Sequence, residues 1–577
     1  MKVKLARTAG FCMGVRRAME MVLAEAKKRK EPIYTYGPLI HNKQVMALLD
    51  SKGIEAVEDF RLLKSGILVI RAHGIPPEER KLLRASGLRV IDATCPRVAK
   101  VQSIIRYHTN KGYSAVIVGD RDHPEVIGLV GYGNGRAHVI NHPGDVSLLP
   151  DCDRVIVVAQ TTQDKEKFQD IVAAVRKRFS DALVFNTICD ATLSRQDEVR
   201  SFAEHVDGIV VVGGYHSGNT KRLVQVAESV GLPTFHVETE KELDRGKLSS
   251  MGVVAVTAGA STPNWMIKDV VQAIEGIRSR KERAPARWIR RIFKFLLLSN
   301  LGVALGALCL AYAAAVLSGR TPDLLYPCLT FFYIYTMHVV NRFLDKGAST
   351  YNDPEMANFY RDHRIFLILT SLVSMMGVLG LSYYMGPLTL LAMAILSILG
   401  ILYSMPIVPQ GLRSLSGFSK IKDIPGSKTL SVALAWGAVS ALVPLLERSG
   451  QGFYGDIISF LFVFSVVYVR SALFDIFQAQ GDLIVGVETL PIVLGEKRTI
   501  TLLKWVILLS AVILFLGPLL GLVGPVAYIM LCCLLTLFLC LFAYTRQWLY
   551  PGTRLEAMVE GNLFLAGLLG LAWQILG

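Results

Sequence analysis

The chain is short of charge and of paired cysteine. Only 19% of its 577 residues are charged, against 52% hydrophobic. That balance excludes a disordered chain and is too apolar for a soluble enzyme of this length. Nine cysteines with no C-x-x-C pair exclude a disulfide framework and argue against a zinc finger or a ferredoxin-type loop. Acidic residues are the scarcer charge: 47 Asp and Glu against 62 Lys and Arg give +15. An excess of that sign suits anionic lipid, a phosphorylated substrate or nucleic acid, without choosing among them. The opening "MKVKLARTAGFC" has no apolar run of signal-peptide length, so the first domain is expected in a reducing cytosol.

What is present divides near Gly276. Before it, short apolar runs alternate with charged amphipathic stretches; after it come runs of membrane length. Nine spans are expected, at roughly 292–317, 324–342, 364–385, 388–405, 428–446, 457–475, 500–516, 519–544 and 560–576. They predict an all-α nine-helix transmembrane bundle over 292–577, joined to residues 1–276 by a basic linker, 277–291. That junction, "IRSRKERAPARWIRRIFK", runs straight into an apolar segment, which favours lipid headgroups over nucleic acid. Loops on the linker's side carry Arg342, Arg361, Arg413, Lys420, Lys497 and Arg546 among others; the opposite loops carry only Arg320 and Arg448. The asymmetry predicts a multi-pass protein of the cytoplasmic (inner) membrane with the first domain facing the cytoplasm.

Residues 1–275 repeat one pattern: apolar strand, polar turn, amphipathic helix. We count nine such units, three per cysteine, and expect three α/β lobes with parallel strands, helices outside and pseudo-threefold symmetry. Cys12, Cys95 and Cys189 each fall where a strand ends and a helix starts. The other turns offer His41, His73, His123 with Glu125, Thr161 with Thr162, Ser217 with Asn219, and Ser261 with Thr262. Ligands of parallel α/β folds sit beyond the carboxyl ends of the strands, so three facing lobes bring these residues together. Three distant thiolates suit a metal centre or an iron–sulfur cluster. A [4Fe–4S] cube held by three cysteines leaves one iron open to substrate. Helix N-termini with neutral donors suit a phosphate, and Glu125 is placed to deliver protons. Taken singly, a cysteine is more often a small buried hydrophobe and a His or Ser at a helix start is a cap. Cys152, Cys309, Cys328, Cys532, Cys533 and Cys540 lack the strand-end context and take that reading; nine polar sites on one edge do not.

The segments "GFCMGVRRA", "GPLIHN", "RAHG", "DATCP", "HPEV", "QTT", "TICDAT..RQ", "HSGNT" and "ASTP" resemble the IspH/LytB family, the 4-hydroxy-3-methylbut-2-enyl diphosphate reductases. The resemblance implies that Cys12, Cys95 and Cys189 ligate a [4Fe–4S] cluster. It implies diphosphate binding by His41, His73, His123, Ser217, Gly218, Asn219 and Ser261. Catalytic roles fall to Glu125 (proton relay), Thr161 (orientation of the substrate hydroxyl) and His123. The implied reaction is reductive dehydration to isopentenyl and dimethylallyl diphosphate. Gly218 stands where a second Ser is common. No flavin or second cluster motif is present, so a ferredoxin or flavodoxin type donor is expected.

Carboxylates beside apolar spans are functional suspects. "HVVNRFLDKGASTYNDP" offers Asn341, Asp345, Asn352 and Asp353; "SALFDIFQAQGDLIVGVETLP" offers Asp475, Gln478, Asp482 and Glu488. Both clusters fall in loops on the cytoplasmic side, and such groups suit Mg²⁺ shared with substrate phosphates, with basic partners for the remaining charge. "FDIFQAQGDLIVGVETLPIVLG", "GILYSMP" and "IPGSKTLSVALAW" resemble the UbiA-type prenyltransferase superfamily. The resemblance implies Mg²⁺ held by Asn341, Asp345, Asp475 and Asp482, and a prenyl diphosphate held by Lys428, Arg342 and Arg470. The first motif departs from the family: Arg342 and Ser349 occupy two acidic positions, and in the second motif Gln478 replaces an acid. The expected whole is a bifunctional isoprenoid enzyme whose partners are an electron donor, a prenyl diphosphate with its acceptor, and membrane lipid, with no nucleic acid. Two alternatives differ in class: a membrane half that is an inactive anchor or lipid-binding module, and a first half that is a cluster-based redox sensor.

Overall fold

The computed structural model describes the chain except residues 29–30, 278–283, 345–353, 406–420, 422–423, 425, 447–452, 486–487, 547, 550–552 and 577. It divides into two compact units, Met1–Glu282 and Arg283–Gly577.

The first unit has twelve strands: β1 (Lys2–Leu5), β2 (Ile33–Tyr36), β3 (Ile54–Val57), β4 (Ile67–Ile70), β5 (Arg89–Asp92), β6 (Ser114–Val118), β7 (Ala137–Ile140), β8 (Val155–Ala159), β9 (Leu183–Phe185), β10 (Gly208–Val212), β11 (Thr234–Val237) and β12 (Val253–Ala258). They form three four-stranded sheets, ordered β3-β2-β4-β5, β7-β6-β8-β9 and β11-β10-β12-β1, with every pairing parallel. One topology thus occurs three times. The third copy is closed by the first strand of the chain, Leu5 lying opposite Val256.

The central strands read as the sequence suggests for parallel sheets covered on both faces. "ILVI", "VIVVA" and "GIVVV" are buried at every position. Burying each such aliphatic side chain is worth about 1.5–3 kcal/mol, which makes these strands the stable part of each lobe. The expected count of nine strands is corrected to twelve. The three additional ones, β3, β7 and β11, are the outer edge of each sheet. Each has four residues, "IEAV", "AHVI" and "TFHV", is only part-buried, and leads into a short 3₁₀ turn. With mixed polarity and no long helix after them, they give no strand–helix signal. The strands that lead to the cysteines, β1, β5 and β9, form the opposite edges.

The second unit is helical. Six helices are long and apolar enough to cross a membrane: Arg364–Met385, Ser427–Leu445, Phe453–Ala479, Glu496–Leu519, Val526–Thr545 and Leu555–Leu576. Arg291–Leu298 and Leu301–Leu317, bent by 79°, make a seventh if taken as one span. Among the described residues length and composition therefore give six or seven spans where the sequence predicts nine: Pro387–Leu402 is short, and Leu325–Leu344 carries His338, Asn341 and Arg342. The unit is a multi-pass membrane protein. Helix Ala284–Leu298 begins inside the stretch expected as linker and exposes Trp288, Ile292, Phe293 and Phe295, an amphipathic surface suited to a headgroup region. Small residues let helices approach: a Cβ on Gly567 would lie 2.6 Å from Cys309 Cβ. A π turn at Ala438–Leu442 precedes Pro444. Proline supplies no N–H to the carbonyl four residues back, and the Ser440 carbonyl instead accepts from Arg320 Nη2 at 3.3 Å.

Val256 is fully buried between β1 and β10. Val256→Ala is expected to cost about 2 kcal/mol, by lost burial plus cavity, read as a lower thermal midpoint of the purified chain by circular dichroism.

Candidate active site

The three cysteines of the first unit occupy equivalent positions. Cys95 caps helix Pro96–Thr109, Cys189 caps Asp190–Ser201, and Cys12 directly precedes Met13–Lys28. Each cysteine N–H donates to a carbonyl in the neighbouring loop: Cys12 to Ala260 (3.2 Å), Cys95 to Ala72 (2.9 Å) and Cys189 to Thr161 (2.9 Å). Each of these carbonyls lies two residues beyond the strand that pairs with the cysteine's own, β12, β4 and β8. The chain crosses at Gly14, where a Cβ would stand 2.6 Å from Cys95 Sγ and 3.9 Å from Cys12 Sγ. All three cysteines line one cavity, together with His41, His73, His123, Glu125, Thr161, Ser217, Gly218, Asn219 and Ser261. Thr162 lines it too. Thr262 does not: its hydroxyl donates to the Val212 carbonyl at 3.0 Å and serves the backbone.

One part of that cavity is a set of neutral donors. The rings of His41, His73 and His123 have centroids 4.7, 5.9 and 5.5 Å apart. Burial pushes the basicity of all three down; Arg71 adds to this, as does His41 for the other two, and His123 falls to about 4. They are uncharged at neutral pH. The Glu125 N–H donates to His123 Nδ1 at 3.2 Å, which assigns the His123 proton to Nε2. Among the described residues, His41 Nε2, His73 Nδ1 and Asn219 Nδ2 are buried with no protein partner; unmet polar atoms facing a cavity call for a polar ligand. Ser261 Oγ donates to the His41 carbonyl at 3.3 Å and lies 3.4 Å from Ser217 Oγ. The absence of a side chain at Gly218 leaves room for the third ring, since a Cβ there would lie 3.1 Å from His123 Nε2.

Glu125 is a buried carboxyl of the cavity. Its oxygens accept from the Thr161 N–H (2.7 Å) and the Thr161 hydroxyl (2.8 Å). Burial raises its pKa to about 7 against those two hydrogen bonds, which lower it. A carboxyl poised there is tuned for proton transfer near neutrality.

The cysteine set suits an iron–sulfur cluster. Three sulfurs share one concave site, and burial, then the nearby Cys12 and Cys189, hold the Cys95 thiol up, a cost that metal ligation removes. Arg195 also lines the cavity. It falls within a motif, yet an arginine in a polar helix ordinarily reads as solvated, and nothing local to its sequence marks it as buried.

In the second unit Asp475 is 2% exposed and both oxygens are engaged, by Lys428 Nζ at 3.0 Å and Thr429 Oγ1 at 2.7 Å. Arg470 is paired with Glu560, Nε to Oε2 being 3.0 Å with a second contact from Nη2, and its guanidinium lies over Trp436 and Phe474. Asn341 Oδ1 accepts from Ser404 at 3.0 Å. Arg342 Nε and Nη2 are buried without a partner among the described residues, the guanidinium lying 5.9 Å over Tyr360. Asp482 is buried. Asp345, Ser349, Asn352 and Asp353 lie outside the described residues. Thr429 and Glu560 escape a reading of the sequence; an acid far along the chain has no spacing signal tying it to Arg470.

Residues 3–275 match the LytB protein family. A 4-hydroxy-3-methylbut-2-enyl diphosphate reductase of Opitutus terrae is 42% identical over 289 residues, 48% of this chain and the whole of that relative. The chain belongs to the LytB family. A second reductase, from Geobacter sulfurreducens, is 42% identical over 282 residues, 49% of this chain and all of the relative. A solved (E)-4-hydroxy-3-methyl-but-2-enyl diphosphate reductase shares 40% identity and covers 48% of this LytB-family chain and 100% of its own, with a TM-score of 0.39. Residues 360–568 match the UbiA prenyltransferase family. A UbiA homolog from Archaeoglobus fulgidus bound to GPP and Mg²⁺ shares 14% identity over 49% of this chain and 98% of its own, TM-score 0.38.

Gly14→Ala would drive a methyl into Cys95 Sγ. Iron content after anaerobic reconstitution is expected to fall by about half or more while the far-ultraviolet dichroism stays unchanged, since alanine suits the helix.

Proposed function

We propose that the chain is a bifunctional isoprenoid enzyme whose first half reductively dehydrates 4-hydroxy-3-methylbut-2-enyl diphosphate to isopentenyl and dimethylallyl diphosphate. The observation that carries this reading is the single cavity holding three cysteines at one part, neutral phosphate donors at another, and a buried carboxyl tied to Thr161. Cys12, Cys95 and Cys189 would hold a [4Fe–4S] cluster, which when bound supplies electrons and an open iron for the substrate oxygen. His41, His73, His123, Ser217, Asn219 and Ser261 bind the diphosphate as hydrogen-bond donors. The backbone at Gly218, opening helix Gly218–Ser229, adds the positive end of a helix dipole. Thr161 orients the allylic hydroxyl. Glu125 holds the proton that leaves with it: the carbon–oxygen bond breaks, two electrons and two protons enter, and water departs. A ferredoxin or flavodoxin type donor supplies the electrons.

The second half is read as a prenyltransferase. Asn341, Asp345, Asp475 and Asp482 bind Mg²⁺, and Lys428, Arg342 and Arg470 take the phosphate charge. They do so on the cytoplasmic face of a nine-span bundle that includes Leu325–Leu344 and Pro387–Leu402. A second reading, an anchor without turnover, is favoured by one observation: Asp475 and Arg470 are each neutralised by protein partners, Lys428 and Glu560. Mg²⁺-dependent binding of a labelled prenyl diphosphate to the full chain supports the enzyme; no binding at any Mg²⁺ concentration supports the anchor.

Two outcomes are expected for the first half. Glu125→Gln keeps the shape but has no proton to give, so reductase turnover should drop at least about 100-fold, within the range for general acid catalysis, with the cluster's absorption unchanged. In the parent chain the carboxyl is protonated below its pKa of about 7 and ionises above it. Turnover with saturating substrate should therefore fall as pH rises through that value, with a slope of one proton, and that descent should vanish in the residual activity of the Gln variant.

A further inference from the structure

A buried cation lines the cavity that neither the donor set nor the proton path uses. Arg195 is 4% exposed. Its Nη1 donates to the Ala191 carbonyl at 2.9 Å and its Nη2 to the Gly10 carbonyl at 2.7 Å, while Nε is buried without a partner among the described residues. Ala191 is two residues past Cys189, in the first turn of Arg195's own helix, and Gly10 is two residues before Cys12, so one guanidinium joins the helix start behind Cys189 to the loop before Cys12. Among the described residues no carboxylate pairs with it. The carboxylate that acts on it from a distance, Glu198, is already engaged by the Arg7 N–H and by the N–H and hydroxyl of Thr8. A buried guanidinium without a counter-charge is costly, and arginine keeps its proton under nearly all conditions. The geometry therefore calls for an anion on the cysteine side.

We propose that Arg195 is the counter-charge of the iron–sulfur cluster, a positioning residue that retains the cluster and raises its reduction potential. This rests on the reductase reading above. A four-iron cluster held by three thiolates is an anion, and each electron it accepts makes it more negative. A fixed cation beside two of its ligands stabilises the reduced form more than the oxidised one, which raises the potential; cluster potentials respond to nearby charge and hydrogen bonding in this way. Two carbonyl contacts hold the charge in place, so it does not swing out to solvent when the cluster is oxidised.

The test is a redox titration of the full-length chain in detergent, reconstituted anaerobically with iron and sulfide and followed by electron paramagnetic resonance. It compares the parent with Arg195→Gln, which loses the charge, and Arg195→Lys, which keeps it. The Gln variant is expected to be harder to reduce: at a fixed donor potential its ratio of reduced to oxidised cluster falls about tenfold, about 59 mV for a one-electron couple. The Lys variant should stay within about threefold of the parent on the same scale. Loss of iron from the Gln variant with retention in the Lys variant also supports the proposal. An unchanged potential in an iron-loaded Gln variant overturns it. So does equal loss of iron from both variants, which would make the side chain a hydrogen-bonded strut. A parent chain that takes up no iron overturns the reductase reading itself, a result distinct from either.

Discussion

Three backbone hydrogen bonds hold the site of the first unit. Each cysteine N–H sits at a helix start, where no intrahelical partner exists, and each finds the same one: the carbonyl two residues beyond the adjacent strand. Because the three bonds are equivalent, Cys12–Ala260, Cys95–Ala72 and Cys189–Thr161, a topology used three times delivers three thiols to one cavity. The first of these bonds depends on the opening strand of the chain, since β1 must lie against β12 for the Cys12 loop to reach Ala260. Leu5 and Val256, from opposite ends of the unit, are thereby held side by side without any covalent link.

The cavity separates charge by function. Burial lowers the basicity of the three histidines, which favours their neutral form at pH 7. The same burial keeps Glu125 protonated to about 7, where a solvated glutamate would have ionised. Desolvation therefore does two jobs with opposite signs: it removes positive charge from the histidines and negative charge from the carboxyl. Among the described residues that line the cavity, the buried cation is Arg195, beside the cysteines. In the second unit the balance differs. Asp475 and Arg470 find protein partners in Lys428 and Glu560, while Arg342 keeps two buried N–H groups unmet among the described residues.

Much of this is legible in the order of residues. The buried strands β4, β8 and β10 are uninterrupted apolar runs, and a polar residue after each strand marks the cavity edge. The edge strands β3, β7 and β11 are not legible, because four residues of mixed polarity carry no period, and their place is decided by pairing with β2, β6 and β10. The cysteines can be located from the sequence but not their tether, which joins loops distant in the chain. Arg195 is hidden for the same reason: its guanidinium bonds to the carbonyl of Gly10, 185 residues away. Partners such as Glu560 for Arg470, 90 residues apart, belong to helix packing and leave no local trace.

Three thiols brought to one cavity are the feature on which the proposed reductase chemistry turns. Mössbauer spectroscopy of the full-length chain, reconstituted anaerobically with ⁵⁷Fe, tests it most directly. A four-iron cluster is expected, in which one iron changes its signal on addition of 4-hydroxy-3-methylbut-2-enyl diphosphate while the other three do not. Absence of bound iron, or a cluster whose irons all ignore the substrate, would contradict it.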